Sequence, residues 1–164
     1  MEVDDAIVTL TLVLGGARSG KSSVAEALVG DDAVYVATAE VHDDDFAARV
    51  ERHRARRPAS WTIVESGPDL PATVRALPDR PTLIDSLGTW VARCEGFAAD
   101  GPALVAALAG RTAVVVSEEV GLGVHPETEV GRRWRDAIGE VNQVVAAAAD
   151  RVLLVVAGRV LELP

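Results

Sequence analysis

Eight consecutive residues, Gly15-Gly16-Ala17-Arg18-Ser19-Gly20-Lys21-Ser22, have the types and spacing needed to grip a chain of phosphates. They satisfy the pattern G-x-x-x-x-G-K-[ST] at every fixed position. Glycines at its two ends admit backbone angles and close approach that a Cβ would block, so successive N–H groups can turn inward around an anion. Lys21 then brings a compact positive charge to the β- and γ-phosphates, and the Ser22 hydroxyl is suited to Mg2+. Lys21 is the one lysine among the 16 basic residues. Everywhere else the chain uses arginine, so an ammonium on a flexible stem is kept only where a planar fork would serve less well.

Two further groups of residues stand out. Arg49, Arg52, Arg54, Arg56 and Arg57 crowd around His53 in a chain whose net charge is −9. Asp85 ends an apolar run, Thr82 to Asp85. That is the usual setting for a carboxylate that handles Mg2+ directly or through water, and equally for a helix cap before Ser86 and Leu87.

The elements that must hold these residues alternate. Ile7 to Leu14 reads as a buried strand running into the glycine loop, and Ser23 to Val29 as the first turns of a helix whose positive end faces the phosphate. Ala33 to Ala39, Trp61 to Glu65, Thr82 to Asp85 and Thr112 to Ser117 read as further strands. Residues 43–56 are expected to be helical, with acidic residues at the start and Pro58 ending the run. Shorter helices are expected over Pro68 to Leu77, Leu87 to Ala98 and Ala103 to Ala109. The longest is expected over Thr128 to Ala149, with Val130, Trp134, Ile138, Val141, Val145 and Ala148 at a 3–4 spacing. Val152 to Val156 and Val160 to Leu163 flank Ala157-Gly158-Arg159 as a hairpin at the sheet edge. Alternation of this kind predicts an α/β P-loop NTPase fold of the RecA-like type. Its mostly parallel sheet carries helices on both faces and a C-terminal β-hairpin. Ligands are expected at the carboxyl ends of the strands.

Size and composition narrow the classes. The 164 residues are expected to form a single nucleotide-binding domain, 1–164, and 49% are apolar without any run long enough to cross a membrane. Met1 to Asp5 is acidic and lacks the basic and apolar regions of a signal peptide. One cysteine, Cys94, excludes an internal disulfide and fits a reducing cytoplasm. The negative charge argues against a broad nucleic-acid or anionic-membrane surface.

Beyond the glycine loop, three pairs of stretches recur in one order. They are Ala48-Arg49-Val50-Glu51-Arg52-His53 before Arg57-Pro58-Ala59-Ser60-Trp61, Glu119-Val120-Gly121-Leu122-Gly123 before Pro126-Glu127, and Arg135-Asp136-Ala137-Ile138-Gly139 before Asn142-Gln143. From about Leu12 onward the chain resembles the bifunctional adenosylcobinamide kinase/adenosylcobinamide-phosphate guanylyltransferase family of cobalamin biosynthesis, the CobU/CobP family. The resemblance implies GTP or ATP and a corrinoid as substrates, Mg2+ with the nucleotide, no tightly bound cofactor, no nucleic-acid partner and a homotrimer. It implies that Lys21 serves phosphoryl transfer and that His53 is the histidine that takes up GMP. A neutral imidazole is a competent nucleophile near its ordinary pKa of about 6.5. Arg49, four residues before, shares its helical face, and neighbouring arginines suit an α-phosphate. Val36, Ala37, Thr38, Arg56, Arg57, Pro58, Ala59 and Glu65 align with stretches used around the guanine nucleotide, and Asp85 with the family's acidic strand-end residue. Glu119 is a candidate to orient a hydroxyl or a water, while Arg135, Asp136, Asn142 and Gln143 fit contacts between subunits. His42 and His125 carry no such role, and His125 before Pro126 reads as a turn residue.

Three departures fall on the presumed corrinoid side. Asp85-Ser86-Leu87 stands where Asp-Cys-Leu is common, Arg93 at about the position of an Asn, and Glu118 where Asn commonly follows the strand. Two other activities share the loop: phosphorylation of another small alcohol or nucleoside, and a RecA-like ATPase on single-stranded nucleic acid with Arg49 to Arg57 tracking phosphates. Acidity and few aromatics weigh against the latter.

Overall fold

In a computed structural model of the chain, residues 9–40, 48, 51, 55 and 57–164 are described. Seven strands form one sheet: β1 (Leu10–Gly15), β2 (Val34–Ala37), β3 (Thr62–Glu65), β4 (Thr82–Asp85), β5 (Ala113–Glu118), β6 (Arg151–Val156) and β7 (Arg159–Leu163). Their order is β3-β2-β4-β5-β1-β6-β7. All neighbours run parallel except β6 and β7, which pair antiparallel. Strand β1 lies near the middle, and the Leu- and Val-rich runs of β1 and β5 are buried along nearly their whole length, as strands covered on both faces must be.

Among the described residues five helices cover the sheet: α1 (Lys21–Val29), α2 (Leu70–Arg75), α3 (Leu87–Arg93), α4 (Gly101–Leu108) and α5 (Glu129–Ala148). On one face Ala25 and Val29 of α1 pack with Val13, Leu83, Val116 and Val155. On the other, α2 to α5 bring Val74, Trp90, Leu104 and Ile138 onto Leu12, Ile84 and Val115. This is the α/β layout with a central phosphate loop and a C-terminal hairpin. Pro71 and Pro102 sit in the first turns of α2 and α4, whose N-caps Asp69 and Asp100 accept from Ala72 and Ala103 N–H. Proline's missing donor costs nothing there.

Some boundaries differ from expectation. The helix read over Leu87 to Ala98 stops at Arg93, because Cys94 is extended and Gly96 and Phe97 take φ of 61° and 63° in a short 3-10 turn. Glycine tolerates that left-handed geometry, and it redirects the chain into α4. Val130 keeps the helical spacing of α5 yet is 61% exposed, and the buried residues of that helix begin only at Ile138. The β6–β7 turn is Ala157-Gly158, both at positive φ. That is the twist that joins two antiparallel strands in two residues. Of the helix expected over 43–56, Ala48, Glu51 and Ala55 are described and helical; His42, Arg49, Arg52, His53, Arg54 and Arg56 lie outside the described residues.

Candidate functional site

The phosphate loop leaves β1 at its carboxyl end and closes on α1. Gly20, at φ 94°, is the N-cap of α1 and carries no side-chain cap. No acidic residue occupies the first turn. The first N–H groups of α1 are therefore left to an external anion, with the positive end of the helix behind them. Arg18 is also left-handed, at φ 55°. Ser19 N–H donates to Gly16 O at 3.3 Å and Lys21 Nζ to the same carbonyl at 3.2 Å, which folds the loop into a cup. A Cβ on Gly15 would lie 2.4 Å from Ser19 Oγ and 2.9 Å from Val155 O, so only glycine fits there. Ser19 Oγ is buried without a hydrogen-bond partner. A buried hydroxyl of this kind is the sort of orphan that a phosphate oxygen satisfies. The hairpin braces the loop from behind, with Gly158 N–H donating to Ser19 O at 2.8 Å.

Asp85 stands at the end of β4, two strands from β1. It does not cap α3. Ser86 does, accepting from Thr89 N–H while the Thr89 hydroxyl closes a capping box. Asp85 is instead held by the Tyr35 hydroxyl, which donates to Oδ2 at 3.2 Å from the neighbouring strand. Burial, and then the nearby Asp85 carboxylate, push the Tyr35 phenol far above its ordinary range, so it remains a donor. Arg57 lies over the same ring, 3.4 Å from its centroid, and pairs with Glu26 of α1 at 3.3 Å. The near end of the arginine-rich stretch is thus fastened to the helix that begins with Lys21 and Ser22.

Around the carboxyl ends of β2 and β3 the backbone does most of the work. The Val36 side chain is wholly buried in the core and Ala37 half-buried, so Val36 can offer a ligand only its main chain. Thr38 Oγ1 donates to Ser86 O at 2.7 Å and accepts from Ser86 N–H at 2.8 Å. Arg93 spans both strand ends, donating to Thr38 O at 3.0 Å and Ser66 O at 2.5 Å, and it pairs with Glu40 at 2.9 Å. Glu65 is exposed at this end of the sheet, whereas Pro58 and Ala59 are exposed before the start of β3, at the opposite end, where Trp61 Nε1 donates to Gly30 O at 3.1 Å. Tyr35, Glu26 and Arg93 were not singled out for these contacts in the sequence. Each acts through a partner distant in the chain, so no local pattern marks it.

Glu118 ends β5 opposite Gly15. Its carboxylate accepts from Ser86 Oγ at 2.7 Å and Gly88 N–H at 2.9 Å, meeting the positive end of α3. Asn142 secures the same strand end, accepting from Ser117 Oγ at 2.5 Å and donating to Glu118 O at 3.1 Å. Glu119 N–H donates to Gly15 O at 3.0 Å, so the residue after β5 touches the start of the phosphate loop. Arg135 pairs with Asp136 at 2.8 Å and donates to His125 Nδ1 at 2.9 Å.

The solved P4 proteins of bacteriophages phi13 and phi6, the latter with ADP, superpose with TM-scores of 0.44 and 0.47 at 19% and 18% identity. They align over 94% and 93% of this chain, which spans about half of theirs (53% and 54%). Among curated proteins, the bifunctional adenosylcobalamin biosynthesis protein CobU of Escherichia coli K12 is 38% identical, over 91% of this chain and 96% of its own. CobU of Salmonella typhimurium LT2 matches equally. CobP of Pseudomonas aeruginosa is 38% identical over 90% of this chain and 92% of its own. Residues 11–163 match the family model described as cobinamide kinase / cobinamide phosphate guanyltransferase. The chain belongs to that family.

Proposed function

We propose that the protein phosphorylates adenosylcobinamide with a nucleoside triphosphate and then transfers GMP from GTP to the product. In the first step the acceptor hydroxyl attacks the γ-phosphorus and the nucleoside diphosphate leaves. In the second the His53 imidazole attacks the α-phosphorus of GTP, expelling pyrophosphate. The corrinoid phosphate then displaces the imidazole to give adenosylcobinamide-GDP. Splitting the exchange in this way replaces one difficult displacement with two easier ones.

One observation carries this reading: an anion cup with an orphaned buried hydroxyl, Ser19, beside the single lysine, in a chain matched to the family from end to end. Lys21 stabilises charge on the transferring phosphoryl group, and the N–H groups of α1 orient the triphosphate before reaction. Ser22 and Asp85 fit Mg2+ bound together with a triphosphate, since both offer hard oxygen donors. Bound there, the ion would neutralise phosphate charge. Tyr35 keeps the Asp85 carboxylate oriented. Val36, Ala37, Thr38, Arg56, Arg57, Pro58, Ala59 and Glu65 are assigned to the nucleotide, Arg57 partly through its hold on α1. No helix among the described residues is long and apolar enough to cross a membrane. A cytoplasmic homotrimer without nucleic-acid partners completes the proposal.

The test is incubation with GTP labelled at the α-phosphorus. Acid-labile, alkali-stable GMP should stay on the protein and disappear in His53→Ala. Full labelling of that variant would remove His53 from the mechanism. ATP-dependent phosphorylation of a different alcohol, with no GMP adduct, would make the protein a simple kinase.

A further inference from the structure

We propose that the alcohol acceptor docks in a cavity of about 540 Å3 enclosed by α5, the loop after β5, and strands β6 and β7. The proposal rests on the kinase reading above and adds the place where the acceptor binds.

Position is the first argument. Leu14, the residue before the phosphate loop, forms part of the floor, and Glu119, bonded to Gly15 O, forms part of the rim. The cavity therefore opens beside the phosphate cup, on the sheet face opposite α1.

Charge is the second. Glu118, Glu119, Asp136 and Glu140 line the cavity, and its one guanidinium, Arg135, is already held by Asp136 and His125. Such a lining repels a triphosphate. It favours a neutral or cationic molecule rich in N–H and O–H donors, and the half-buried Val152 and Leu163, with the edge of Leu14, give that molecule an apolar floor. Cobinamide, a corrin ring bearing carboxamides and an amino alcohol, has this chemistry. The two sides of the sheet edge thus sort the two substrates by charge.

Gly139 is the third and independent argument. It lies in the interior of α5 and lines the cavity. Glycine there costs about 1 kcal/mol relative to alanine. Among the described residues nothing demands it, since a Cβ at Gly139 would meet none of their atoms within 4 Å. Gly88 and Gly101 differ, because Glu118 and Val144 respectively crowd their Cβ positions. A bare stretch of helix facing a cavity is what close approach of a bulky ligand requires.

Gly139→Leu carries a side chain outward from a position where a Cβ meets open space, and Gly139→Ala is the mild control. Binding of adenosylcobinamide is measured in the presence of a non-hydrolysable nucleotide, alongside nucleotide affinity, circular dichroism and light-scattering mass. Gly139→Leu should weaken adenosylcobinamide binding about tenfold or more, equivalent to about 1.4 kcal/mol. Nucleotide affinity, helicity and mass should stay as in the unmodified protein. Unchanged adenosylcobinamide affinity in Gly139→Leu would overturn the site. So would a fall in mass, because the cavity would then be a contact between copies of the chain. If the unmodified protein neither binds nor phosphorylates adenosylcobinamide, the kinase reading fails and the acceptor site fails with it. If it does both and Gly139→Leu is indifferent, only the site fails.

Discussion

Arg57 and Glu26 form an ion pair at 3.3 Å in which 5% of the arginine side chain and 17% of the glutamate side chain remain exposed. The pair joins the chain four residues after His53 to the helix that starts at Lys21. Removing one partner of a buried pair strands the other, at a cost of about 3 kcal/mol or more. Glu26→Ala should therefore lower the denaturant midpoint, and it should slow GMP adduct formation more than phosphoryl transfer. Equal slowing of both steps would show that the pair serves stability alone.

The lone ammonium gives a sharper test. Lys21→Ala should reduce phosphoryl transfer by about a thousandfold, the scale of losing one preorganised charge at a transition state. No second lysine can take its place. Lys21→Arg should fail nearly as badly, because a planar fork cannot occupy the position of a point charge. Steady-state rates with saturating nucleotide measure both, and a fully active arginine variant would contradict the role.

Tyr35 is the only tyrosine, so absorbance at 295 nm reads it alone. Burial and Asp85 raise its folded pKa above the unfolded value of about 10. The folded state thus holds the proton more tightly. Stability from this group is complete below pH of about 10 and drains away as the pH rises beyond it. In EDTA-treated native protein the phenolate signal should be absent at pH values where unfolded protein shows it. A native midpoint near 10 would mean that the ring is not held as described.

At Gly88 a Cβ would come within 2.1 Å of Glu118 Oε2 and 3.2 Å of Trp134. Gly88→Ala should destabilise the fold by about 2 kcal/mol through forced displacement of that carboxylate. Pairing it with Glu118→Ala should recover part of the loss. Thermal melts of the two single variants and the double variant measure the coupling.

Much of the frame was readable in the sequence, for reasons visible in particular residues. Thr82 to Asp85 was bounded correctly because Pro81 and the Ser86-Leu87 helix start bracket a continuous apolar run. Leu87 to Ala98 was read too long because its composition suits a helix, while Gly96 and Phe97 leave it through backbone angles that composition does not reveal. Val130 has the spacing of a core residue, yet burial along α5 begins only at Ile138, which spacing does not reveal.

The chain by itself determined the phosphate loop, because that site is contiguous: eight neighbouring residues carry both its shape and its charge. It also determined the alternation of strands and helices, which follows from local hydrophobic periodicity. Tertiary structure alone decided which partners those residues have. Tyr35 reaches Asp85 only because β2 and β4 are neighbours, and Glu118 meets Gly88 only because β5 ends beside the start of α3. Glu119 and Gly139 share a cavity only because α5 folds back over the sheet. Such contacts depend on strand order and helix packing, which are set by burial summed over the whole molecule and leave no mark on the local sequence.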